Sequence, residues 1–488
     1  MSSWFGRKAP AIIPTDMVVP LRHWDDNLLL KSLVVYCLAR YDVPLDPEKL
    51  HSSLERLVSL EGWRKLGARL RKNANGQIEY HVPQAFTKER PGVSFSHVQH
   101  DMSIKAHPLA SRLPEPSPSQ PAVVGDPEEF ISLARAEGSP VHFDDYLMED
   151  RGQLGLHIVS FTDATLVTLY YSHTSFDLMG WGAIMTAWTH VLHGREHLVA
   201  KPFGGDPGSA GFDALSQLGT NATEQHIHAT RRMTMSSLLS FGLRNAYNMT
   251  VRAKENRIVC VPGAFIDKLR AECLEELKAA AGPGEDTFVS EADVFSAWWA
   301  RLIVTQLVAP TSIRTISIQY AASSRKALGL STDLDKDPYI SNLFTILYSL
   351  LPASDIINKP LSFLAREIRR SIIEQGTKEQ IEAYFALQNR APRRTAPLFG
   401  DAGLHMLTLS NWRKANLYGH DFSPAACSKD DSARGQYPSY LQSSHLPFDF
   451  PEAFCFMGQD NNNNWWLYGY RVAGMWAKVE QALSEIKW

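Results

Sequence analysis

Nine β-branched and aromatic-rich residues, Ala164 to Ser172 (ATLVTLYYS), run directly into His173-Thr-Ser-Phe-Asp177, and a helical pattern begins at the next position. The period changes from that of a strand to that of a helix, with Trp181, Ile184, Met185, Trp188, Val191 and Leu192 on one face. A strand joined to a helix by five residues must turn at once, so His173 and Asp177 are held at a strand end. Rigid junctions of this kind are where proteins commonly hold reacting groups. The pattern H-x-x-x-D itself occurs three times, the others being His97 to Asp101 and His445 to Asp449, so the letters alone select nothing. Only the first stands between a strand and a helix.

A chain of 488 residues exceeds one ordinary core. We expect a first lobe over 1–205, a crossover over 206–256 and a second lobe over 257–488. The division rests on the Pro/Gly-rich stretch Lys201 to Asp213 (KPFGGDPGSAGFD). A net charge of −3 favours neither nucleic acid nor an anionic membrane, although a local basic patch could still hold a phosphorylated cofactor. Five scattered cysteines without C-x-x-C spacing read as reduced thiols. No signal-peptide pattern and no long apolar run is visible, so a cytoplasmic protein is expected.

In the first half, Asp46 and Pro47 open a helix with Leu50, Leu54, Leu57 and Val58 on one face. Gln77 to Val82 reads as a strand, and the proline-rich stretch His107 to Asp126 reads as irregular surface. In the second half, helices are expected over Ala264 to Ala280 and from Ser290-Glu-Ala-Asp293, the latter opened by a capping box. Strands are expected over Ser341 to Leu351 and Gly403 to Ser410. Mixed α/β lobes of similar size follow.

Histidine has an unperturbed pKa of about 6.5, so His173 is mostly neutral at pH 7 and able to take a proton from an alcohol or amine. Asp177 either orients His173 or braces the loop through an arginine; the spacing leaves both open. No G-x-S-x-G, H-E-x-x-H, P-loop or G-x-G-x-x-G stands in the chain. Direct transfer without a covalent intermediate is the simpler chemistry. His190, His193 and His197 lie around a helix stop at Gly194 with no fitting carboxylate or cysteine, so no metal is expected.

These motifs resemble those of the BAHD-type acyl-CoA-dependent acyltransferases, in particular their fungal secondary-metabolite branch. That family's H-x-x-x-D-G is matched by His173 to Asp177, and its D-F-G-W-G resembles Asp421-Phe422 followed by Ser423-Pro424-Ala425. Shorter echoes span most of the chain: Val19-Pro20-Leu21 with Asp26, Gly67-Ala68-Arg69-Leu70, the Ser290 helix start, Ser324-Arg325-Lys326, Tyr339-Ile340-Ser341-Asn342 and Asn411-Trp412. Two departures stand out. Leu178 replaces the family glycine, and two glycines are lost at Ser423 to Ala425.

The resemblance implies a two-domain chloramphenicol-acetyltransferase-like fold, mixed sheets flanked by helices, with a channel between the halves. It implies acyl-CoA as co-substrate, a hydroxyl of a polyketide- or terpenoid-like small molecule as acceptor, and a monomer, since one chain builds the whole channel. His173 becomes the general base and Asp177 a structural residue paired with Arg325. Trp412, Ser410 or Thr408 becomes the oxyanion donor, and Asn342 and Asp421 become shapers of the channel wall. Lys268, Arg270, Lys278 and Ser290 are the candidates for the CoA phosphates. Two other readings stay open: a condensation-type catalyst using a carrier-bound acyl group, and a non-transferring protein that binds or cyclises an intermediate.

Overall fold

In the computed structural model, residues 8–22, 24–117, 119–204, 215–282, 284, 287–446 and 449–488 are described. Much of the stretch on which the lobe boundary rests, 205–213, lies outside them, as does Pro283 in the turn before Ser290.

Asp46 accepts from the N–H groups of Glu48 and Lys49, Pro47 starts helix α1 (Pro47–Ser59), and Leu50, Leu54, Leu57 and Val58 are its buried face. This helix packs on α2 (Leu178–Leu192), the helix that follows His173. Both lie over a five-stranded sheet of order β13 (Tyr440–Leu446), β2 (Val34–Tyr41), β8 (Thr165–Ser172), β7 (Leu154–Ser160) and β5 (Val93–Gln99). All neighbours are antiparallel except β5 and β7. Every residue of β8 is buried, which is why its sequence reads as a near-continuous apolar run.

The second sheet has seven strands, ordered β11 (Phe344–Pro352), β10 (Thr315–Ser323), β12 (His405–Asn411), β14 (Ala453–Gln459), β15 (Asn464–Val472), β9 (Lys254–Pro262) and β6 (Ala122–Gly125). Alternation separates its faces. Ile316, Ile318, Leu407, Leu409, Phe454 and Leu467 point into a core with Phe295, Trp299, Leu364 and Trp476. These last four come from helices α5 (Glu291–Thr305), α6 (Leu361–Gln375) and α8 (Met475–Ser484). The opposite face carries Gln319, Thr408, Ser410, Cys455 and Tyr468 and looks toward the first sheet. A small sheet of β1 (Met17–Pro20), β4 (Ile78–Val82) and β3 (Arg69–Lys72) completes the fold. Helix α3 (Met235–Ala246) falls within the expected crossover, and α4 (Gly263–Ala280) and α7 (Lys378–Asn389) lie in the second half of the chain.

The sheets exchange strands across the expected lobe boundary. β6, from the stretch expected to be irregular, pairs with β9 in the second sheet, and β13 from the C-terminal half pairs with β2 in the first. Four residues between prolines and an Asp carry too little periodicity to announce a strand. Partners more than 130 residues away supply the hydrogen bonds.

Candidate active site

The loop after β8 is fastened at nearly every residue from outside itself. The His173 N–H donates to the Leu33 carbonyl at 3.0 Å, and the His173 carbonyl accepts from Asn342 Nδ2 at 2.9 Å. Tyr80 donates its hydroxyl to the Thr174 carbonyl at 2.8 Å, and Ser175 Oγ donates to Gln153 Oε1 at 3.0 Å. None of these bonds uses the imidazole. The ring is half-buried, with Tyr171 and Phe344 rings each 6.4 Å away. Among the described residues Nδ1 is sealed from solvent without a hydrogen-bond partner, whereas Nε2 is not sealed and is the nitrogen available to a reacting group; the nearby Asn342 amide favours the charged ring. Burial holds the His173 pKa below its ordinary value, outweighing the opposing pull of the Asp177 carboxylate. The ring is therefore a neutral acceptor at neutral pH.

Asp177 turns away from His173. It is the N-cap of α2, accepting the Gly180 N–H at 3.0 Å, and it takes both terminal nitrogens of Arg325 at 2.7 Å each. The Leu343 N–H adds a fourth bond at 2.9 Å. Arg325 also donates to the carbonyls of Tyr339 and Ser341, so this buried pair ties the His173 junction to the second half of the chain. Leu178 is the first residue of α2, and neither it nor Ser423 to Ala425 has positive φ. The family glycines are thus not needed for left-handed backbone here. Gly180 is needed for space, since a Cβ there would stand 2.8 Å from Phe176 Cβ.

Three contributors were not legible in the sequence. Asp25, 1 % exposed, accepts the main-chain N–H and the Nδ2 of Asn342 at 3.1 and 2.8 Å, and so holds the amide that grips His173. Its neighbour Asp26, the residue matched to the family echo, pairs with Lys31 instead. Lys65 donates to Ser341 Oγ at 2.6 Å and to the Ile340 carbonyl at 3.2 Å, with a longer contact to the Ser175 carbonyl. Burial raises the Asp25 pKa and lowers that of Lys65, each partly offset by the other's charge. The third is His445 on β13, from the motif copy that looked accidental. Its ring lies 6.0 Å from Trp412 and 6.0 Å from Tyr468, and burial, reinforced by His173, pushes its pKa down to about 3. No local pattern marks these positions; their partners lie in other parts of the chain.

Trp412 is buried and donates its indole N–H to Ser410 Oγ at 2.9 Å, so that donor is engaged while the Ser410 hydroxyl hydrogen remains free. Thr408 reaches Gln319 Oε1 at 3.4 Å. A cavity of about 450 Å³ lies against Asn342 and Phe344. Trp24, Leu28, Leu29, Ile346 and Phe385 give it an apolar wall, relieved by Asn27, Ser32, Gln388 and Thr395, and among the described residues no charged side chain lines it.

Other expected residues stand elsewhere. Asp421 does not shape the wall near His173. It accepts from the main-chain N–H groups of Ser423 and Gln436, and its carbonyl meets His193 just past the far end of α2, about 22 Å of helix from the site. The adjoining segment anchors α1, where the Asp46 N–H donates to the Ala425 carbonyl at 2.7 Å and Phe422 stacks on Tyr41. Ser290 caps α5 and is satisfied by Asp293, Arg270 donates to the Val289 carbonyl, and Lys278 pairs with Glu275. Lys268 alone of the four is exposed without an ion pair among the described residues. Among those residues no cluster of three or more His, Cys, Asp and Glu is arranged to hold a metal, and His190 pairs with Asp335.

A model of the Transferase family matches residues 149–426, a span that runs from just before β7 through His173 to the segment after Asp421. The chain belongs to this BAHD-type acyltransferase family. Transcriptional regulator calD of Penicillium decumbens is 38% identical over 98% of this chain and 97% of its own. Acetyltransferase adrJ of Penicillium rubens is 35% identical with the same coverage. The crystal structure of F. sporotrichioides TRI101 complexed with coenzyme A and T-2 superimposes with a TM-score of 0.66, covering 95% of this chain and 97% of that one at 12% identity. At that identity the likeness shows the fold, which this BAHD-type chain shares. Among the described residues no helix is long and apolar enough to cross a membrane.

Proposed function

We propose that this chain transfers a short acyl group, such as acetyl, from acyl-CoA to a hydroxyl of a neutral, largely apolar polyketide- or terpenoid-like metabolite, with His173 as general base. The observation that carries the reading is the partly accessible Nε2 of a neutral imidazole at a position, His173, whose backbone rather than its ring anchors it to the rest of the chain. Nε2 takes the proton of the acceptor hydroxyl as its oxygen attacks the thioester carbonyl. The tetrahedral oxyanion receives a hydrogen bond from the Ser410 hydroxyl, which Trp412 orients; such donors contribute about 3 to 4 kcal/mol when aimed at developing charge. Collapse expels CoA as thiolate, and the proton on His173 passes to its sulfur.

Direct transfer fits the thiols present. Burial pushes Cys37 and Cys455, which face the site from the two sheets, up to about 12, so neither ionises to become an acyl carrier near neutral pH. The uncharged cavity favours a neutral acceptor over an acid or a polyamine, because a charge buried there would find no partner. Lys268 remains the cation on α4 free to meet a CoA phosphate. A monomer in the cytoplasm completes the reading.

Incubation with acetyl-CoA and a panel of neutral terpenoid and polyketide alcohols tests it. Acylated product should appear together with an equal amount of free CoA thiol. Reaction only with a carrier-protein-bound acyl group would instead establish the condensation reading, and an acceptor altered without gain in mass would establish a cyclase.

A pH dependence follows from the His173 environment. The protonated ring cannot accept a proton, and burial lowers its pKa below about 6.5, so kcat/KM should be level above that pH and fall tenfold per unit once the pH drops below the depressed value. An acid limb centred above pH 7 would remove His173 from the role.

A further inference from the structure

The surface of α3 is inverted. Phe241 packs inward with Met233 and Leu404, while Met235, Leu239 and Leu243, followed by Tyr247 and Val251 on the π-helical turn Tyr247–Val251, recur every fourth residue on the outside. Their exposures are 73, 66, 70, 62 and 66 %, whereas a helix on a water-facing surface carries polar residues there. Charge singles out the same stretch. From Gln225 to Lys254 the chain has no Asp or Glu, yet it carries Arg231, Arg232, Arg244, Arg252 and Lys254 in a protein whose net charge is −3. The four arginines are exposed, and among the described residues none of them forms an ion pair.

We infer that this helix docks on an anionic lipid bilayer, lying in the plane of the interface with its apolar ridge among the acyl chains and its arginines at the headgroups. A ridge of large apolar side chains within a stretch that carries arginines and no carboxylate of its own matches a flat surface that is anionic above and apolar beneath. A second copy fits less well, because a two-fold contact through this helix would bring like-charged arginines together. The helix also adjoins the acceptor cavity. The Met233 N–H donates to the Leu398 carbonyl at 3.0 Å, the Gly400 N–H donates to the Arg231 carbonyl at 2.9 Å, and Thr395 and Ala396 line the cavity. An apolar acceptor dissolved in the bilayer would then lie beside its binding site. That last link rests on the acyl-transfer reading, whereas the membrane contact does not.

Flotation of the full chain with vesicles tests the contact without reference to activity. Vesicles of phosphatidylcholine with roughly 30 mol% phosphatidylserine should carry the protein up the gradient, pure phosphatidylcholine far less, and high salt should weaken the binding. Leu239→Glu with Leu243→Glu should lower partitioning about tenfold or more, with an unchanged melting temperature and unchanged turnover of a water-soluble acceptor. Arg231→Ser with Arg232→Ser should reduce the dependence on phosphatidylserine. Absence of wild-type flotation, or equal flotation of the leucine variant, would overturn the inference. A concentration-dependent dimer abolished by the leucine substitutions, with no vesicle binding, would assign the ridge to a second copy instead.

Discussion

His173→Ala is expected to lower kcat/KM by about 10² to 10⁴ while leaving the melting temperature almost unchanged. The two halves of that expectation have separate causes. The imidazole offers an accessible nitrogen next to Asn342 and Phe344, which line the cavity, and neither Cys37 nor Cys455 ionises near neutral pH to replace it. Stability is spared because the loop is gripped through the His173 N–H and carbonyl, which alanine retains. Steady-state kinetics with acetyl-CoA and any acylated acceptor, alongside a thermal melt, reads both. Wild-type turnover by the folded variant would remove His173 from the chemistry.

Asp177→Asn is expected to cost about 3 to 5 kcal/mol of folding stability, the usual penalty for breaking a buried ion pair and leaving one charge uncompensated. Arg325 is 2 % exposed and among the described residues pairs with no other carboxylate; its remaining hydrogen bonds go to the Tyr339 and Ser341 carbonyls and Ser323 Oγ. Asparagine preserves the shape and one acceptor oxygen but sets its NH2 against donors the second oxygen had accepted, so the loss reports charge and acceptance together, not packing. Activity should fall with stability, because the same pair joins the His173 junction to the segment carrying Asn342. Denaturant titration of both proteins measures the difference. A loss below about 1 kcal/mol would mean that water, not Asp177, compensates Arg325.

Reading the chain by itself reached the elements whose causes are local. Asp46 and Pro47 announce α1, the Ser290 box announces α5, and the change of period at His173 announces β8 and α2, since caps and amphipathic faces act within a few residues. Relations across the chain were less accessible. The Arg325 partner of Asp177 came from resemblance, not from spacing. The structural role that the resemblance gives Asp421 says nothing of where it acts; its contacts, Gln436 and His193, lie at the far end of α2. Asp25 and Asp26 cannot be told apart in the sequence, because adjacent carboxylates look alike until one is buried.

Charge shows the same division. A net value of −3 argues against anionic surfaces only if charge is spread evenly, and four arginines fall in one acid-free stretch around a helix whose leucines the fold leaves exposed. The sequence alone determined that a neutral histidine would stand at a strand end before a buried helix, because β-branched runs and amphipathic spacing act through nearest neighbours. Tertiary structure decided which nitrogen of that ring is open, which residues hold its loop and what lies beside it. Those outcomes depend on burial and on hydrogen bonds between segments hundreds of residues apart, such as Asp25 and Asn342, which no local pattern encodes.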